Sequence, residues 1–194
     1  AGGVSSQKVD EENFSHTVKK ITVLLNGDKI RTGEDGRAVL VFLDDKSQLK
    51  LLENSLLEIR GEKYRDGLSK DMSMDIGKLK ANVSDQRKGE FKIATPVSVL
   101  SVKGTKFWVI TDGSTQDQII GLEGLIEVVN NATGDAVTVT ENQTATSTSE
   151  GDLAVRETDP KEIPEDEDEE GQGDTGDTEE GETEDGDDTG EEDT

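Results

Sequence analysis

The chain has 194 residues, with 45 acidic against 21 basic side chains for a formal net charge of −24, no cysteine and one histidine. This composition excludes disulfides, a thiolate nucleophile and cysteine-based zinc sites, and it leaves too few histidines for a triad or a histidine metal cluster. It also disfavours nucleic acid, whose phosphates need a cationic partner, and no apolar run approaches the roughly 18 residues of a membrane helix.

The acidity is concentrated at one end. From Glu157 onward 21 of the 45 acidic residues stand against the single Lys161, leaving 24 acidic and 20 basic residues in 1–156. Only this near-neutral body carries enough apolar surface to offset chain entropy on folding.

The elements follow in chain order. The start, Ala-Gly-Gly without a methionine, reads as a processed protein or simply a trimmed chain, although no basic start and apolar core mark a secretory leader. Residues 1–17 are polar, hold His16 in an exposed setting, and precede the apolar run VKKITVLL (18–25). Together they suit a strand-exchange arm that adds to the sheet edge of a neighbour. In RAVLVFL (37–43), Ala38, Leu40 and Phe42 alternate with Val39, Val41 and Leu43, so a strand buried on both sides is expected. SQLKLL (47–52) points Leu49 and Leu51 inward. Residues 62–75 (EKYRDGLSKDMSMD) read as a loop with at most one helical turn.

FKIA (91–94), VSVLSVK (97–103) and KFWVIT (106–111) read as core strands broken at Gly104-Thr105. Thr95-Pro96 biases its first residue to extended geometry and removes a backbone donor, and Gly104 permits a turn that residues with a Cβ resist. QIIGL (118–122) and LIEVV (125–129) flank a turn at Glu123-Gly124, and AVTVT (136–140) follows Thr133-Gly134-Asp135. Short β-branched runs between such turns predict an all-β sandwich or short β-roll over 18–150. A linker over 151–164 and a low-complexity acidic tail of Asp, Glu, Gly and Thr over 165–194 complete the expected organisation.

Three blocks of this pattern resemble the FecR family of extracytoplasmic β domains. The first is Gly33-Glu-Asp-Gly36-Arg37-Ala38-Val-Leu40-Val-Phe42 followed by Ser47-Gln-Leu49-Lys-Leu51. The second is Phe91-Lys-Ile93-Ala-Thr95-Pro96 leading into Val102-Lys103-Gly104-Thr105-Lys-Phe107-Trp-Val109, and the third is Leu122-Glu123-Gly124-Leu-Ile126-Glu-Val128. They occur in the family's order over about residues 27–130 and make Gly36, Thr95, Pro96, Gly104, Thr105, Glu123 and Gly124 the motif positions. The resemblance implies a β domain acting outside the cytoplasm. The best-known members sit in the inner membrane and relay a signal from an outer-membrane receptor to a cytoplasmic sigma factor, through a cytoplasmic segment and a membrane span. Others are secreted or surface-attached, and this chain is closer to those.

Enzyme chemistry finds little support in the residues. The acids of the body (Asp28, Glu34, Asp35, Asp44, Asp45) sit where turn chemistry accounts for them. In the tail, Asp166, Asp168, Glu170, Gly171, Asp174 and Asp177 follow positions 1, 3, 5, 6, 9 and 12 of a Ca²⁺ loop. Glu at the fifth position, Asp at the twelfth and the lack of flanking helical patterns depart from that loop, so loose Ca²⁺ association with the tail is the alternative. Of seven asparagines, Asn13, Asn82, Asn131 and Asn142 begin Asn-x-Ser/Thr. That excess suits N-glycosylation of an exported protein, or Ser/Thr-rich turns where asparagine also gathers.

Two non-enzymatic functions result. The first is an exported structural or assembly protein, extracellular or at the cell surface, whose partner is itself in a filament or surface array. The alternative is a periplasmic FecR-type interaction or signalling module that binds another extracytoplasmic protein.

Overall fold

The computed structural model describes residues 3–14, 16–18, 21–64, 67–86 and 90–166. Within them the chain forms strands β1 (Val4–Gln7), β2 (His16–Thr17), β3 (Lys29–Thr32), β4 (Ala38–Val41), β5 (Gln48–Leu51), β6 (Leu56–Tyr64), β7 (Gly67–Val83) and β8 (Phe91–Ala94). There follow β9 (Ser98–Val102), β10 (Thr105–Thr111), β11 (Gln116–Glu123), β12 (Ile126–Asn130), β13 (Ala136–Val139), β14 (Gln143–Thr148) and β15 (Leu153–Glu157), then a 3₁₀ turn at Pro160–Glu162. The fold is all-β, as expected. Among the described residues no helix is long and apolar enough to cross a membrane.

The strands make two sheets. One runs β2-β1-β3-β6-β7-β8-β9-β12-β13 and the other β4-β5-β7-β10-β11-β14-β15. Neighbours are antiparallel except β7 and β8, which pair in parallel from Lys70↔Phe91 to Ser73↔Ala94. Alternation places Met72, Met74, Ile93, Leu100 and Ile126 of the first sheet against Leu49, Leu51, Leu79, Phe107 and Val109 of the second, all buried in one core.

β7 belongs to both sheets. Its first part pairs with β6 and β8, and from Gly77 onward it pairs with β5 and β10. The change of sheet falls at Gly77, whose φ of 118° disfavours any side chain. A Cβ there would lie 2.5 Å from both Cα and Cβ of Ser55. Buried hydroxyls fix the crossing. Lys78 N donates to Ser55 Oγ at 3.0 Å, Ser55 N donates to Thr32 Oγ1 at 2.9 Å, and that hydroxyl donates to Leu52 O at 2.6 Å.

Several expectations change. Of residues 62–75, those through Tyr64 lie in β6 and those from Gly67 in β7, two antiparallel strands, rather than in a loop or helical turn; residues 65 and 66 lie outside the described residues. Strand alternation wins there because Met72 and Met74 point into the core while Asp71, Ser73 and Asp75 point out. The strand in 37–43 is buried on one side only: Leu40 faces the core, while Val39 and Val41 on the outer face, and Leu43 in the turn beyond, have no layer packed over them and remain exposed. Within the N-terminal segment read as an exchange arm, β1 pairs with β3 of its own chain, Val4↔Thr32 to Gln7↔Lys29. The stretch read as a linker holds β15, which pairs with β14 and leans Leu153 and Val155 on the core.

A second apolar cluster lies on the outer face of the second sheet. Leu52, Trp108 and Ile120 are buried there beneath Ile110, Leu122 and Ile163. Lys80 Nζ stands 5.7 Å from the Trp108 ring centroid, a cation–π contact.

Candidate functional site

The motif residues gather at the two ends of β9. At one end, Thr95 Oγ1 accepts from Ser98 N at 2.8 Å and from Val97 N at 3.2 Å, and its hydroxyl donates to the buried Asp117 carboxylate of β11. Asn131 Nδ2 donates to the carbonyls of Thr95 and Pro96, each at 3.1 Å. Its neighbour Asn130 is buried and donates to Ser147 Oγ and Thr148 O, both at 2.8 Å, while its Oδ1 accepts from Ala132 N and Thr133 N. Side chains of β12 and of the β8–β9 turn thus bond to β11 and β14 of the other sheet. The Thr-Pro step is a clasp between layers.

At the other end Gly104-Thr105 meets Glu123-Gly124. Gly124 has φ 83°, and a Cβ on it would lie 2.7 Å from Gly104 O and from Thr105 Cγ2. Glu123 pairs with Lys106 at 2.6 Å on the surface. The second and third sequence blocks are therefore one contact. Gly36 serves the first block in a similar way: a Cβ there would lie 2.6 Å from Gly3 O, which itself accepts from Gly33 N at 2.7 Å. All seven motif positions build turns and close approaches.

The most concentrated electrostatics were not legible in the motifs. Lys70, buried on β7, donates to Asp44 Oδ2 at 2.9 Å and to Asp45 Oδ2, and its Nζ lies 5.0 Å from the Phe42 ring centroid. Asp45 also accepts from Gln86 Nε2 at 2.5 Å and from the Ser47 amide at 2.9 Å. Burial pushes its carboxyl up, but hydrogen bonds from Lys70, Gln86 and Ser47 outweigh that and hold it at about 2. Asp28 is buried too, where Lys8 Nζ reaches it at 2.6 Å and Leu25 N donates at 2.8 Å. Burial raises its pKa, these bonds lower it, and the net direction is down. Asp28 and Asp45 are thus ion-pair anchors and not only turn residues. The strict alternation of Met72 and Met74 was the signal that could have found Lys70, two positions earlier on the same face.

A pH dependence follows. A carboxyl depressed in the folded state stabilises above its unfolded pKa, near 3.9, and loses that contribution as pH falls through the folded value. For Asp45 the contribution is about 2 kcal/mol, fully present above about pH 5 and gone below about pH 2. Urea unfolding at pH 7 and pH 2 should show this loss, and Asp45→Asn should shrink the difference between the two.

The remaining site candidates fall as follows. Asn13, Asn82, Asn131 and Asn142 are all exposed. Of the Ca²⁺-loop residues only Asp166 is among the described residues; Asp168, Glu170, Asp174 and Asp177 lie outside them. Among the described residues no three His, Cys, Asp or Glu side chains stand together to hold a metal ion. The side chain of His16 also lies outside what is described.

Comparison with known proteins adds to this geometry. No curated protein matches the chain. It is similar to two crystal structures, at 2.50 and 1.65 Å, of a candidate anti-sigma factor from Parabacteroides distasonis, each with a TM-score of 0.58 and 16% identity. Each match covers 68% of this chain and 60% of the other, so the chain spans less than two thirds of that length, and what is shared is the fold. The family model described as FecR protein matches residues 28–151, a span that takes in all three sequence blocks and extends past them through β14. Through that match, the chain belongs to the FecR family.

Proposed function

We propose that this chain is a FecR-type protein-interaction module of a signalling system outside the cytoplasm, and that it binds another extracytoplasmic protein. The family match over residues 28–151 carries this reading. The fold shared with a candidate anti-sigma factor supports it. So does the use of every motif residue in turns and strand contacts, which leaves surfaces as the functional parts. The assembly reading loses its main device, because β1 fills a place in its own sheet instead of reaching for a neighbour.

The test is twofold. Analytical ultracentrifugation and negative-stain microscopy, with and without millimolar Ca²⁺, should show dispersed monomers. Cross-linking in the envelope of the native host should then couple the chain to a distinct extracytoplasmic protein. Regular filaments or sheets in either condition would return the assembly reading to first place.

A further inference from the structure

The interaction-module reading leaves open where a partner binds, and β4 bears on that. Among the described residues this strand pairs only with β5, so its other side is a sheet edge. The register continues to Phe42 N donating to Ser47 O at 2.9 Å. In an antiparallel ladder bonded pairs alternate, so Ala38, Leu40 and Phe42 turn their amides and carbonyls to β5 while Val39 and Val41 turn theirs outward. The side chains of Val39 and Val41 lie on the outer face and are 56% and 48% exposed, and Leu43 in the turn that follows is 82% exposed. Backbone valences and apolar side chains are thus offered by the same positions.

Natural edges are normally guarded by charge, proline or brevity. The edge strand β15 carries Arg156 and Glu157, with Arg156 paired to Glu162 at 2.7 Å. At β13 the exposed positions are Ala136 and Thr138, with Val137 and Val139 turned inward. β4 has no charged residue along its length.

The surroundings indicate what would fit. In register behind Val39 stand Lys50 of β5 and Lys80 of β7, and behind Val41 stand Gln48 and Asn82. Lys78 shares this face and pairs with Glu53 at 3.2 Å, and among the described residues these strands carry no acidic side chain there, in a chain whose net charge is −24.

The geometry points to the free edge of β4 as the docking site for an extended segment of a partner protein. The segment adds as a further strand of the second sheet. On the outer face the segment carries apolar side chains beside Val39 and Val41 and, on that same face, a carboxylate within the reach of Lys50.

Val41→Pro tests this. The amide of Val41 faces outward, so proline removes a docking donor without breaking a bond to β5, and edge positions tolerate it. The probe is a fluorescein-labelled peptide that carries valine and glutamate by turns on one face, with threonine between them (Thr-Val-Thr-Glu-Thr-Val-Thr), followed by anisotropy. Wild-type chain should bind it, while Val41→Pro and the surface pair Val39→Glu with Val41→Glu should bind at least tenfold more weakly at unchanged melting temperature. A valine–lysine peptide should not bind. Absence of binding to wild type, or equal binding to Val41→Pro, would overturn the assignment. A concentration-dependent dimer of wild type that Val41→Pro abolishes would overturn it in favour of a second copy. If a native partner is cross-linked equally by wild type and Val41→Pro, the edge is wrong and the module reading stands; a chain that cross-links to nothing in either form sinks the module reading itself.

Discussion

Gly77→Ala is expected to lower the unfolding free energy by about 3–5 kcal/mol, a large part of the stability of a domain this size. Two terms add. A side chain at φ 118° is strained by about 1–3 kcal/mol. The new Cβ would also meet Ser55 at 2.5 Å, at backbone that cannot swing away. Moving Ser55 then disturbs the hydroxyl chain through Thr32 and Lys78, where each buried bond is worth about 1 kcal/mol. Urea titration followed by Trp108 fluorescence reads the loss, because that indole is buried in the native state. Gly134→Ala is the control. Its φ is 76°, yet nothing lies within 4 Å of the new Cβ, so a loss of about 1 kcal/mol is expected. Equal losses at the two sites would mean that backbone strain alone matters and the crossing at Ser55 does not.

The second large effect concerns Lys70. Lys70→Ala is expected to cost about 3–5 kcal/mol, because it removes the shared cation of Asp44 and Asp45 and leaves a hole beside Phe42 and Phe91. Lys70→Met separates the causes. It keeps most of the stem volume, so the part of the loss that survives is electrostatic, and it should weaken at low pH where Asp45 is protonated anyway. A methionine variant as stable as wild type at pH 7 would show that packing of the stem, and not the ion pair, is what the position supplies.

Much of the fold could be read from the sequence, and the reasons are local. FKIA, VSVLSVK and KFWVIT are short runs rich in β-branched and aromatic residues, set off by Thr95-Pro96 and by Gly104, so β8, β9 and β10 lie close to where the pattern put them. Alternation fails where the inward position is not a typical apolar residue. In β7 those positions include Lys70, Met72 and Met74, and a lysine on the inner face hides the period unless its carboxylate partners are known. In β4 the period was plain but the sheet position was not: apolar residues on both faces suggest a central strand, and only the topology shows an edge. The motif glycines and Thr95 were found through the resemblance, but their partners Asp117, Asn131 and Gly3 are contacts across the chain that no local window contains. The Ca²⁺ loop and the sequons rest on spacing alone, and spacing does not supply a second shell.

The strand shared by the two sheets also bears on how the protein opens. In a sandwich whose layers have separate strands, one layer can loosen while the other persists, giving two cooperative units with different opening free energies. Here β7 is the ladder partner of β6 and β8 in one layer and of β5 and β10 in the other. Releasing it breaks ladders in both at once, so the slowest-exchanging amides of the two layers belong to one unit and report one global opening.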